Sequence, residues 1–291
     1  IMKKILLILF CLPLFVVGQF EKRLALVIGN AHYKHMPVLD NPVNDALLIA
    51  ETLKELNFDV ILDTNVTDYL KFVDLISEFG EKRPDYDVAF IYYAGHGIQV
   101  DGENYLLPTD VKFDITETDY NKAKRTIKKR CLSTQSIMDE LTDRSDQLNV
   151  IILDACRDNP VEKILAGKSR SSNFKGSGLA EMNTPTGSLL CFSTKAGTTA
   201  PDGDPRDPNS KNSLYSQCLV EEMTKEGVEL LTVFSNVRTK VLMISNGAQV
   251  TDETNSLLST LDSQGQMKRQ EFYFVQTTYE KELKEIDSLY D

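Results

Sequence analysis

Two short stretches of this 291-residue sequence carry residue types that can do covalent chemistry, Ala94-Gly95-His96-Gly97 and Asp154-Ala155-Cys156. A thiolate is a strong nucleophile, but a cysteine with an unperturbed pKa of about 8.5 is only a few per cent ionised at neutral pH. An imidazole beside it raises that fraction or takes the proton during attack. The chain has 3 histidines, and of these only His96 lies between two glycines, where the backbone can turn sharply beside a substrate. Attack on a carbonyl creates an oxyanion, which the backbone N–H groups of Gly97 and Cys156 could hold. Taken alone, His96 is as readily a satisfied buried histidine; its position relative to Cys156 is what favours chemistry. Cys191 lies in an apolar run and Cys218 in a helical pattern, so both read as core residues. With 5 cysteines in all, the density is far below that of a disulfide scaffold. No pair of ligands stands at CxxC or HExxH spacing, which disfavours zinc.

The elements around these residues decide whether they can meet. Buried-strand runs and amphipathic helices alternate, which predicts an α/β fold with a mostly parallel sheet covered on both faces. Strands are predicted over Arg23–Ile28, Phe58–Leu62, Val88–Tyr93, Asn149–Leu153 and Gly187–Ser193, with a final strand over Glu271–Val275. Asn41-Pro42 supplies a cap and first-turn proline for a helix with apolar residues from Val43 to Leu56. Thr67 is read as the cap of a second helix ending at Gly80, and Ser133 as the start of a short one. Helical patterns also cover about 213–225 and 230–245. Functional groups of such sheets gather at the carboxyl ends of the strands. His96 and Cys156 each follow a strand end, and neighbouring strands would bring them together. Lys122–Arg130, Gly167–Asn183 and Pro201–Asn212 read as loops, the first for its charge and the others for Ser, Gly and Pro.

Composition narrows the classes further. The chain is 42% hydrophobic, enough to bury a full core. Its 32 basic and 43 acidic residues give a net charge of -11, with no strongly basic domain, so a nucleic-acid partner is not expected. An acidic surface tolerates cationic substrates. Lys3-Lys4, the apolar run Ile5–Val17 and Gly18 have the form of a secretory signal, with cleavage expected after Gly18. The run is too short to span a bilayer comfortably, and Pro13 interrupts it, so no stable membrane span is expected after its removal. An exported protein, periplasmic or secreted, is the corresponding expectation.

Tyr93-Ala94-Gly95-His96-Gly97 and Asp154-Ala155-Cys156-Arg157-Asp158-Asn159-Pro160 resemble the His and Cys boxes of the caspase-like peptidases, nearest to the bacterial metacaspase and paracaspase branch. Leu24–Asn30 with Tyr33, Asn41–Ala46, Gln99–Pro108 and Gly187–Gly203 add to the resemblance, which spans about 21–275. It implies a three-layer caspase-like fold with a large part over about 20–160, a linker over 161–186 and a small part over 187–275. A charged tail, 276–291, follows. It implies a cysteine endopeptidase with a His96–Cys156 dyad and an oxyanion hole from Gly97 and Cys156. It also implies an acidic pocket taking Arg or Lys, at Asp45, Asp154 and Asp202. Period-two alternation supports this, since it puts Asp154 on the same side of an extended backbone as Cys156. Two carboxylates in one cleft repel each other, and a forked guanidinium satisfies both. The plain alternative is that Asp45 caps its helix and Asp154 bonds nearby amides. After the cysteine the sequence departs from the metacaspase pattern. It also has no clear match for the full metacaspase calcium cluster, so no cofactor or metal is expected, and calcium activation stays open without a clear site. A catalytically silent binding domain that keeps the fold, or a peptide ligase using the same dyad, are the alternatives the sequence leaves open.

Overall fold

The computed structural model describes residues 21–113, 120–141, 147–156, 179–180, 182, 184–195, 203–207, 209–257, 259–261, 267–269 and 271–277. The chain order begins β1 (Arg23–Gly29), α1 (Pro42–Glu55), β2 (Phe58–Thr64), α2 (Tyr69–Lys82), β3 (Val88–Val100) and β4 (Glu103–Leu106). It continues with α3 (Tyr120–Arg130), β5 (Leu132–Ser133), α4 (Thr134–Asp139), β6 (Leu148–Cys156) and β7 (Ser188–Phe192). The helices α5 (Leu214–Met223) and α6 (Leu230–Ile244) precede β8 (Asp252–Asn255) and the two short strands β9 (Ser259–Leu261) and β10 (Met267–Arg269).

The main sheet runs β2-β1-β3-β6-β7-β8, parallel except for the antiparallel edge strand β8. Period-two alternation divides its side chains between two cores. In β3, Val88, Phe90, Tyr92 and Ala94 face the core that α1, α5 and α6 cover, while Ala89, Ile91 and Tyr93 face the one that α2 and α4 cover. In α1, Ala46, Ile49, Ala50 and Leu53 recur at i, i+3, i+4 and i+7 and are buried. Fully burying an Ile or Leu side chain contributes about 1.5–3 kcal/mol, which is what fastens the helix to the sheet. Gly29, the last residue of β1, lets α1 come close: a Cβ there would lie 2.4 Å from the Pro42 carbonyl oxygen. That approach sets the first turn of α1, with Asp45, at the carboxyl edge of the sheet.

A third, smaller core lies beyond that edge. Tyr33, Met36, Ile98, Val100, Tyr105, Leu107, Ile127 and Cys131 are among its members. It exists because β3 does not stop where the apolar run ends. Past Tyr93 the strand continues to Val100 and folds back on β4 in an antiparallel hairpin.

Several expectations change. Lys122–Arg130 is not a loop but most of α3, whose buried Ile127 and partly buried Ala123 pack on the third core. Asp68, not Thr67, caps α2, accepting from Leu70 N and Lys71 N, and the helix runs through Gly80 to Lys82. Gly80 admits the Glu140 side chain, which a Cβ would strike. Asn41 makes no side-chain cap. In the orientation that satisfies its amide, it bridges Lys211 O at 3.1 Å and Gly203 N at 3.2 Å instead. Glu271–Val275 is no sheet strand: only isolated bridges, Tyr273 to Glu229 and Val275 to Glu226, are formed there. Its alternation is real, since Phe272 and Phe274 are buried, but Arg23 meets two of its carbonyls, with Nη1 donating to Phe274 O at 2.9 Å and Nη2 to Tyr273 O at 3.1 Å, while Leu230 N and Gly227 N meet those of Phe272 and Val275. The signal segment, most of the linker and the charged tail lie outside the described residues.

Candidate active site

His96 and Cys156 stand on adjacent parallel strands, paired in register as the last rung between β3 and β6. Neither follows its strand in a loop, as the apolar runs predict: Cys156 is the last residue of β6, and His96 lies within β3, which continues to Val100. A strand is the more rigid mount, because its backbone bonds hold each Cα in place. Gly97 is the next residue of β3 and begins the hairpin pairing, opposite Leu106.

The imidazole of His96 is held from several sides and is 5% exposed. Its Nε2 lies 2.9 Å from the Pro37 carbonyl oxygen. A carbonyl only accepts, so this bond requires the proton on Nε2 and leaves the Nδ1 lone pair as the base of the neutral ring. The Tyr33 ring packs against the imidazole with centroids 4.5 Å apart. The backbone N–H of His96 donates to Tyr33 Oη at 2.8 Å, and Tyr93 Oη donates to His96 O at 2.9 Å. Gly95 makes room for both tyrosines. Its φ is +152° and a Cβ would sit 2.7 Å from each hydroxyl oxygen, so no larger residue fits without displacing them. Tyr33 and Pro37 reach His96 because the segment after β1 is pinned to the third core, with Lys34 N donating to Thr109 O and Leu39 N to Ala31 O. Pro37 carries no sequence signal for this role, since only its backbone takes part.

Two of the three candidate pocket aspartates come together. Asp45, 2% exposed, accepts at Oδ1 from Ser213 N at 2.9 Å and Asn212 Nδ2 at 3.0 Å. It does not cap its own helix. Asp154 accepts at Oδ2 from Tyr92 Oη at 3.0 Å, Ser213 Oγ at 3.3 Å and Ser216 Oγ at 3.3 Å. The neighbouring Ala155 packs in the opposite core, as alternation requires. Burial first, and the charge of Asp154 second, push the Asp45 carboxyl up to about 7. Burial also raises Asp154, against the pull of its hydroxyl donors. Buried together, the two acids oppose each other's ionisation, a repulsion that a cation placed between them would relieve. Asp202 lies outside the described residues. Sequence reasoning missed Ser213, Ser216 and Tyr92, whose part follows only from where α5 docks.

A His–Cys pair in strand register and a buried acid pair share one edge of the sheet, which supplies residue types that thiol acyl transfer uses. The family comparison agrees, for the caspase domain model matches residues 22–264. The chain belongs to the caspase-domain family. Its fold is that of caspases: the Drosophila initiator caspase Dronc superposes with a TM-score of 0.56 at 13% identity, covering 88% of this chain and 84% of that one. Caspase-1 from Spodoptera frugiperda gives 0.56 at 15% identity, covering 89% and 93%. Among curated proteins, the human mucosa-associated lymphoid tissue lymphoma translocation protein 1 is 29% identical over 137 residues, which is 47% of this chain. Its mouse homolog matches over the same length at 29%. The match spans only 15% of the length of either relative. Family and fold together identify a domain of the cysteine-peptidase type.

Proposed function

We propose that this caspase-family domain is a cysteine endopeptidase that cleaves after Arg or Lys. The observation that carries the reading is the register pairing of His96 with Cys156, together with the Nε2 bond to Pro37 O that leaves Nδ1 as the base. In this reading Nδ1 takes the thiol proton and the Cys156 sulfur attacks the scissile carbonyl carbon, forming a C–S bond. The carbonyl electrons move to oxygen, where the backbone N–H groups of Gly97 and Cys156 receive the negative charge. On collapse the C–N bond breaks, and the imidazolium gives its proton to the departing amine. Water then attacks the thioester with His96 again taking a proton, and the carboxylic acid leaves as the thiolate is restored. The side chain before the scissile bond, Arg or Lys, enters between Asp45 and Asp154, and Asp202 is proposed as a third acid there.

Among the described residues no group of three or more His, Cys, Asp or Glu side chains could hold a metal ion. Among the same residues no helix is long and apolar enough to cross a membrane. We also propose that residues 1–18 direct export to the periplasm or medium and are removed. The mass of the mature N-terminus checks this.

Fluorogenic peptides of matched sequence, with Arg, Lys or Asp before the scissile bond, test the function. Wild-type protein is expected to release fluorophore from the Arg and Lys peptides only. Cys156→Ala and His96→Ala are each expected to lose at least about 10³-fold in kcat/KM, and the double variant to be hardly worse, because the pair acts as a unit. Turnover retained in Cys156→Ala would remove the mechanism; a preference for Asp would remove the pocket and leave the dyad standing.

A further inference from the structure

The acid pair is tied together by a single residue of the small part. Ser213 gives its backbone N–H to Asp45 and its hydroxyl to Asp154, at 2.9 and 3.3 Å. Among the described residues it is the one that bonds to both carboxylates. Its position follows from helix capping: Ser213 is the N-cap of α5, and its Oγ accepts from Ser216 N at 3.2 Å. The same oxygen therefore closes the first turn of the helix, and its one proton has two acceptors in reach, Asp154 Oδ2 at 3.3 Å and Ser216 Oγ at 3.1 Å. Asn212 precedes it and donates to Asp45, while Ser216, one turn on, donates to Asp154. Because α5 packs by Leu214, Cys218, Leu219 and Met223 into the main core, this donor set is fixed to the body of the protein.

Repulsion between two buried carboxylates drives them apart unless donors hold them. Burial and the Asp154 charge raise Asp45, so the tie acts against a real force. Resting on the reading of this site as a receptor for a basic side chain, we propose that Ser213 is its specificity-determining positioning residue. It sets the two carboxylates relative to each other so that they take a forked guanidinium in preference to a single ammonium. The argument is geometric. A guanidinium presents its N–H groups in one rigid plane, so both acceptors must be correctly turned at once. An ammonium has three donors that rotate about a flexible stem and tolerates a misplaced acceptor. Ser216 still donates to Asp154 when the Ser213 hydroxyl is removed, but the one residue that bonds both carboxylates is lost, and that loosening of their relative placement harms Arg more than Lys. A residue that served only to hold the helix would lower stability without changing the ratio between the two.

The test measures kcat and KM for matched peptides with Arg, Lys or neutral Gln before the scissile bond, and melting temperature alongside. Ser213→Ala keeps the N–H to Asp45 and removes the hydroxyl. It is expected to lower the Arg-to-Lys ratio of kcat/KM by about tenfold, the scale of one hydrogen bond to a charged group, mainly through KM. Ser213→Thr, which keeps a hydroxyl, should restore the ratio. Ser213→Gly is the second variant, since glycine is nearly as good a cap and also lacks the hydroxyl; it should lower the ratio as alanine does. Asp68→Ala removes the cap of α2 and should lower the melting temperature with the wild-type ratio kept. An unchanged ratio in both Ser213→Ala and Ser213→Gly, in a protein that still prefers basic peptides, overturns the role of Ser213 and leaves the acidic pocket intact. A ratio lowered equally in Ser213→Thr overturns it too. A wild type that cleaves the Gln peptide as well as the basic ones overturns the pocket, and this proposal with it.

Discussion

In the proposed mechanism the imidazole of His96 acts as a base only while its ring is fixed, and the fixing is done by residues outside the proposed dyad. Tyr33 does two things: its hydroxyl accepts the His96 N–H and its ring covers one face of the imidazole. Tyr33→Phe keeps the ring and strands a buried N–H, a loss of about 1–3 kcal/mol. The expected outcome is a kcat lower by about tenfold with KM little changed, because the pocket proposed for the basic side chain is elsewhere. Steady-state kinetics on an Arg peptide check this, and a change in KM alone would count against a positioning role. Gly95→Ala should be worse. Its Cβ would meet the hydroxyl oxygens of Tyr33 and Tyr93 at 2.7 Å, from a φ of +152° that strains any L side chain. Backbone strain of this kind costs about 1–3 kcal/mol before any clash. That should lower the melting temperature by several degrees as well as abolish activity. His96 and Cys156 stood out in the sequence because glycines and strand ends mark them. Tyr33 stood out only as part of the family resemblance, without a role, and Pro37 not at all, since they lie some sixty residues from His96 and Pro37 acts through its carbonyl.

Secondary structure was readable where burial is deep and periodic, and unreadable where one side of an element is thin. The central strands and the helices α1, α5 and α6 follow their apolar patterns closely. The helix α3 does not announce itself: its apolar stripe is Ala123 and Ile127, continued by Cys131, and charged residues fill the rest of each turn. A reading by charge sees a solvated loop, yet one buried residue per turn against the third core is enough to hold a helix. The long β3 was likewise cut short, because Gly95 and Gly97 look like a turn when the hairpin partner Glu103–Leu106 is not yet known. The helical form of Lys122–Arg130 bears on where the chain can be nicked. A peptide must be extended to enter a protease cleft, and a segment docked as helix must first unfold, whereas Ser/Gly-rich connections are open to nicking. Self-cleavage of the wild type is therefore expected in the linker, after Lys168, Arg170 or Lys175, and not within Tyr120–Arg130. The linker residues are outside those described. Mass spectrometry of protein incubated in active conditions distinguishes the two, with Cys156→Ala intact throughout. Fragments ending at Lys128 or Arg130 would show that α3 opens more easily than its packing implies.

The acid pair draws together segments far apart in the chain, from the first turn of α1, the end of β6 and the start of α5, so its ionisation is felt in the stability of the entire domain. The groups facing Asp45 are the Asp154 carboxyl, the Tyr92 hydroxyl beyond it, and Ser213 and Asn212 from the α5 side. Tyr92 stays a neutral donor, since burial and the two carboxylates hold its phenol well above its ordinary range. Asp45 sits at about 7 in the folded protein against 3.8 for the ordinary carboxyl. Between those values the folded chain binds a proton that the unfolded chain has lost. Its contribution is therefore fully present below about pH 4 and declines as the pH rises towards 7, with a slope of at most about 1.4 kcal/mol per pH unit. Other carboxylates titrate over part of this window, so the informative quantity is the difference between wild type and Asp45→Asn. Asparagine keeps the shape and cannot ionise. Asp45→Asn is expected to gain on the wild type in melting temperature as pH is raised from 4 to 7, and to level off above it. A basic ligand reverses the balance, because a guanidinium in the cleft favours the doubly ionised pair and its binding expels the proton. Affinity for an Arg-containing peptide aldehyde should then strengthen as pH rises through 7 in the wild type and stay nearly flat in Asp45→Asn. Parallel melting curves for the two proteins across that range would mean that the two carboxylates do not share a buried cleft.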